Sequence, residues 1–105
     1  MTEFAEVLIE LLPTEMGGRR TPICLSTDSE SHYRPHFRVC GGDGVMLGVE
    51  FVDGPDAPVL PGGQTFATVR FVYQPKVCYG ALTEGTQFNI LEGSRVVGIG
   101  RVIRQ

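Results

Sequence analysis

The sequence predicts an all-β domain, a small six-stranded antiparallel β-barrel. Three observations lead there. Apolar residues recur at every second position in several separated runs, as they do where a strand buries one face. Clusters rich in Gly and Pro punctuate those runs at short intervals. No segment carries a helical period long enough to outlast the next Pro or Gly-Gly pair. About six strands at such spacing suit a closed barrel, because closure removes the unpaired edges an open sheet would present.

The first strand is expected from Phe4 to Leu12. Ala5, Val7, Ile9 and Leu11 alternate with Glu6 and Glu10, and Pro13 and Gly17-Gly18 leave little room for the competing helical reading. Residues 13–35 show little apolar period, and Ser26–Ser31 is an acidic, polar tract typical of an exposed loop. Strands are expected again at His36–Cys40 and Val45–Val52, with Val45, Leu47, Val49 and Phe51 on one face and Gly41–Gly44 as the turn between them. Leu60-Pro61-Gly62-Gly63 has Pro and Gly where a type II turn needs them. The longest strand is expected from Gln64 to Gln74, with Thr65, Ala67, Val69, Phe71 and Tyr73 on its apolar side. After a loop rich in small residues, Phe88–Leu91 and Arg95–Arg104 flank Glu92-Gly93-Ser94 as a hairpin.

With 105 residues the chain has the length of one domain, 1–105, and enough material for a core of its own. A net charge of −3 gives no general attraction to nucleic acid or anionic membranes, so any such role must rest on a local patch. Eight of the nine basic residues are arginines, Lys76 being the exception. After Glu92 three arginines and no carboxylate follow, which suggests a basic edge. Cys24, Cys40 and Cys78 are odd in number and far apart, so they make neither a disulfide framework nor a C-x-x-C site. The N-terminal run carries Glu3, Glu6 and Glu10 with no basic start, unlike a secretory signal, and no run reaches the roughly 20 apolar residues of a membrane helix. These features point to a cytoplasmic protein with no membrane partner.

Chemistry-bearing motifs are sparse. Gly98-Ile99-Gly100 lies inside a strand-like run without the third glycine or following helix of a dinucleotide loop, and is better read as room for close packing. No phosphate-cradling loop is present, so no nucleotide is expected. His32 and His36, with Cys24 and Cys40, lack any known zinc spacing, and no metal or other cofactor is expected. Cys40 and Cys78 are read as inert packing thiols next to strands. Without a nucleophile elbow or a cysteine signature, the chain is not expected to be an enzyme.

Several segments, taken in order, resemble the C-terminal, third β-barrel domain of elongation factor Tu. Glu15, Gly17-Gly18-Arg19 and Thr21-Pro22 are similar to the family's E-G-G-R-x-T-P. Tyr33-Arg34-Pro35-His36-Phe37 is similar to Y-R-P-Q-F, and Leu60-Pro61-Gly62-Gly63 stands in place of M-P-G-D. Phe88, Ile90, Glu92-Gly93, Arg95, Val97-Gly98 and Gly100 follow the family's final hairpin. The resemblance implies the barrel fold. It implies no GTP hydrolysis, since the family's GTPase domain has no counterpart in this sequence.

In that family the barrel packs on the GTPase domain, binds the exchange factor and grips tRNA. Transferred to matching positions, the protein-facing surface would comprise Gly17, Gly18, Arg19, Arg20, Thr21, Arg34 and His36. The longer loop Lys76–Thr86 adds Tyr79 and Leu82 as possible apolar anchors. The leading expectation is therefore a non-catalytic binding module with a protein partner in translation. A second is binding of tRNA or other structured RNA through Gly93, Arg95, Arg101 and Arg104, weakened because Gln87 and Leu91 replace two family arginines. A third is an immunity or antitoxin protein built on the same barrel.

Overall fold

The computed structural model describes residues 3–26 and 32–105. Strand β1, Phe4–Leu11, buries Ala5, Val7, Ile9 and Leu11 and turns Glu6 and Glu10 outward, as the alternation requires. It is followed by a single 3₁₀ turn, Thr14–Met16. Then come β2 (His36–Val39), β3 (Leu47–Asp53), β4 (Gln64–Phe71), β5 (Gln87–Glu92) and β6 (Arg95–Arg104). They close into a barrel in the order β1-β4-β3-β2-β5-β6, and every neighbouring pair is antiparallel. The expected barrel is what forms, and β6 lies between β5 and β1. It is therefore no edge, contrary to the basic edge expected from its arginines. Among the described residues no helix is long and apolar enough to cross a membrane.

Four strands fall short of their expected bounds: β1 and β2 stop one residue early, β3 starts two residues late, and β4 stops three residues early. Val45 is exposed and outside β3, because the Asp43 carboxylate accepts the Val45 amide at 3.1 Å and Gly44 has φ +82°, which prolongs the turn. β4 ends at Phe71, leaving Tyr73 exposed, since the Tyr79 hydroxyl takes the Tyr73 amide at 3.1 Å and the chain turns there. The Leu60–Gly63 turn forms as expected, with Gly62 at φ +84° and Gly63 N–H donating to the Leu60 carbonyl at 2.8 Å. Of the acidic Ser26–Ser31 tract, residues 27–31 lie outside the described residues.

The core is built on Phe37, Phe88 and Phe51. The first two rings stack with centroids 3.9 Å apart, and Phe51 meets Phe37 edge-on at 6.1 Å. Gly98 and Gly100 give β6 its close approach to β1 and β5. A Cβ on Gly100 would lie 2.5 Å from the Phe88 ring and 2.9 Å from the Leu8 carbonyl oxygen. Because Phe88 is fully buried, neither neighbour can yield freely. Gly100→Ala is thus expected to destabilise the barrel by about 1–3 kcal/mol, the usual range for overpacking. A thermal melt checks this, and an unchanged midpoint would contradict it.

Candidate functional site

The loop after β1 is irregular yet firmly held. Gly17, at φ +90°, ends the 3₁₀ turn in the left-handed conformation and donates to the Thr14 carbonyl at 3.1 Å. The Gly18 amide donates to the Pro13 carbonyl at 3.0 Å, folding the chain back so tightly that a Cβ on Gly18 would lie 2.0 Å from the Leu12 carbonyl oxygen. The Thr14 hydroxyl closes the loop from its other side on the Arg19 carbonyl, at 2.6 Å.

Residues distant in sequence then pin it. From β6, Arg95 donates to the Gly17 carbonyl through Nε and Nη2, at 3.0 and 2.8 Å, and to the Gly18 carbonyl at 2.6 Å. Arg19 donates to the Thr21 carbonyl at 3.3 Å, to the Thr21 hydroxyl at 3.1 Å, and to the carboxylate of Glu92 at the end of β5. Its guanidinium carbon also stands 5.5 Å from the centre of the Tyr33 ring. The Tyr33 hydroxyl donates to the same Glu92 oxygen at 2.5 Å, while its ring stacks on Phe51 at 5.6 Å. Burial first, and then the Glu92 carboxylate, hold the Tyr33 hydroxyl far above its ordinary pKa of 10.0, so it remains a donor.

Three segments thus form one surface at an end of the barrel. Residues assigned from sequence to two different sites come together here: Gly17, Gly18, Arg19 and Thr21 on the loop, and the turn holding Gly93, with Arg95, from the hairpin. Gly93 has φ +62°, as that two-residue turn demands. Met16, with 70% of its surface exposed, and Arg20, which has no ion pair or hydrogen bond among the described residues, project from the pinned loop.

Other expected contacts lie elsewhere. Arg34 faces the carboxylate of Glu50 on β3, donating through Nε and Nη2 at 3.2 and 3.1 Å. Arg70, directly across on β4, donates to the other Glu50 oxygen at 3.2 and 2.9 Å, and His32 Nδ1 lies 3.4 Å from the first. Glu50 is only 6% exposed, and the Arg70 hydrogen bonds, helped by Arg34, hold its carboxyl below the ordinary 4.5 despite burial. His36 pairs with Gly48 and Leu91 in the barrel wall. No group of three metal-ligating side chains forms among the described residues.

Tyr79 is not an exposed anchor. It is 2% exposed, stacks on Phe71 at 4.6 Å, and donates its hydroxyl to the Gly48 carbonyl at 2.5 Å; burial raises its pKa. Leu82 is likewise buried, because the longer loop folds inward to cap the end of the barrel opposite the pinned loop rather than projecting from it. Cys40 and Cys78 are exposed rather than packed, Cys40 because β2 has already ended and Cys78 because it lies in the capping loop. All three thiols are free.

The arginines of β6 do not converge. Arg95 and Arg104 are nine residues apart, about 30 Å along an extended strand. Arg104 donates to Glu6 at 2.6 Å, and Arg101 has no partner among the described residues.

Sequence reasoning missed the Glu50 cluster and Met16. A lone carboxylate inside the apolar run Val45–Val52 was the signal for the first, and a methionine preceding Gly-Gly the signal for the second. No known protein family matches the chain.

Proposed function

We propose that this chain is a non-catalytic protein-docking barrel, resembling in design the third domain of elongation factor Tu, with a partner in the translation machinery. The observation that supports the reading is the pinned loop. Arg95 and Arg19 anchor Gly17–Thr21 by hydrogen bonds while Met16 and Arg20 stay outward, an apolar anchor beside a cation with no partner among the described residues. A surface ordered before its partner arrives loses less entropy on binding. Such a surface engages a protein with an apolar pocket flanked by carboxylates. The RNA reading draws less support, since Arg95 and Arg104 are already occupied by carbonyl and carboxylate partners.

Affinity capture from lysate of the source cell tests the proposal, with wild type and Met16→Asp/Arg20→Glu as baits and with nuclease-treated samples alongside. Both substituted side chains are exposed, so the double variant is expected to melt like wild type. Wild type should enrich translation proteins independently of RNA, and the variant should lose that catch. Equal catches from both baits, or a catch abolished by nuclease, would overturn it.

A further inference from the structure

We propose that Arg34, Arg70 and His32, positioned by Glu50, form a site for a phosphate dianion on the outer side of β3 and β4. The Val49 amide donates to the Pro35 carbonyl at 3.1 Å and the Phe51 amide to the Tyr33 carbonyl at 2.9 Å, which extends the β2 ladder and sets Arg34 beside Glu50. Arg70 is across from Glu50 on β4, so the carboxylate has a guanidinium on each side. Each arginine commits one edge to it, Arg34 to Oε2 and Arg70 to Oε1, through Nε and Nη2. A guanidinium has five N–H donors, and these two side chains make no other hydrogen bond among the described residues. Their outer edges stay open: Arg34 and Arg70 are 60% and 38% exposed, while the carboxylate they bracket is nearly inaccessible.

Charge selects the ligand. One carboxylate cannot balance two guanidiniums, so the cluster carries a surplus of one positive charge on a chain of net charge −3. The surplus becomes two when His32, whose Nδ1 lies 3.4 Å from Glu50 Oε2, is protonated. Like charges held this close repel, and an anion lying across both outer edges relieves that repulsion. The two Nη2 atoms each contact an oxygen of the same carboxylate, at 3.1 and 2.9 Å, and are at most about 8 Å apart. A phosphate spans that gap by accepting a charge-assisted hydrogen bond on each of two oxygens. Glu3 is the one carboxylate in the groove on the other side of Arg70, and it forms no ion pair among the described residues. Its charge disfavours an anion there, so the phosphate enters from the side of Arg34 and His32.

Titration of the intact, ¹⁵N-labelled chain at constant ionic strength, followed on the arginine Nε–H signals, tests this. Orthophosphate and O-phosphoserine are used separately, because free phosphate and a phosphorylated side chain offer the same group; the tighter of the two names the source. The Arg34 and Arg70 signals should shift saturably, with half-saturation at about 1 mM or below. Arg34→Gln should weaken binding at least about tenfold. Arg34→Lys keeps the charge beside Glu50, and with it the fold, but lacks the second edge, so it should weaken binding at least about threefold while melting like wild type. Arg38→Gln removes the same charge about 13 Å along β2 and should change nothing. Dimethyl phosphate, a monoanionic diester, should bind at least about tenfold more weakly than orthophosphate. Absence of saturable shifts, wild-type binding by both Arg34 variants, an equal loss in Arg38→Gln, or equal binding of the diester would overturn the proposal. The loop-docking reading is independent of this outcome, since no loop residue is altered.

Discussion

Replacing Arg70 with Met is expected to lower the unfolding free energy by about 3 kcal/mol, the low end of the cost of stripping a partner from a buried ion pair. Arg70 supplies two of the hydrogen bonds that hold the nearly inaccessible Glu50 carboxylate. Arg34 remains and keeps the loss from being larger. Glu50→Gln is expected to cost less, because Arg34 and Arg70 both reach solvent and can hydrate when the carboxylate is gone. For a domain of this size the Arg70 variant should melt about 12–20 °C lower.

The same cluster sets an acid limit. The folded-state pKa of Glu50 lies below its ordinary 4.5, so the unfolded chain binds the proton first as pH falls. The cluster's contribution is therefore complete above about pH 4.5 and lost as pH falls through the folded value. In Arg70→Met the carboxyl titrates higher. The stability gap between the two proteins should thus be widest near neutrality and shrink in acid. A gap independent of pH, measured by denaturant titration, would contradict this account of the cluster.

Gly18→Ala is the second large effect, again about 3 kcal/mol, at the upper end of overpacking costs. The added Cβ would lie 2.0 Å from the Leu12 carbonyl oxygen, 2.6 Å from its carbon and 2.8 Å from the Pro13 carbonyl oxygen. All three are backbone atoms, so no rotamer change relieves the clash and the loop itself must open. Opening removes the carbonyls on which Arg95 is seated. Faster amide exchange at residues 14–21 should accompany the lower melting point. An alanine variant with wild-type stability and exchange would show that the loop is not held as described.

The alternation in β1 and β4 made the barrel legible, because a half-buried strand repeats every two residues whatever its neighbours are. Strand ends were less so: Val45 and Tyr73 continue their apolar patterns, but the Asp43 side chain and the Tyr79 hydroxyl claim the backbone there first. The site was legible in part. Gly17, Gly18, Arg19 and Thr21 could be named as a loop, and Gly93 and Arg95 as a hairpin. That these form one surface depends on the closure of β6 on β1, which no local pattern states. Tyr79 was misplaced for a related reason, since loop composition does not reveal whether a loop folds outward or over the barrel mouth.

Docking on the arginine-pinned loop, as proposed, would show in the affinity of the chief captured protein for three purified chains: wild type, Met16→Asp/Arg20→Glu, and Phe66→Asp, which alters an exposed side chain on β4 outside the loop. A loss of at least about tenfold, roughly 1.4 kcal/mol, is expected for the loop variant alone. Equal affinity for wild type and the loop variant, or a loss confined to Phe66→Asp, would contradict it.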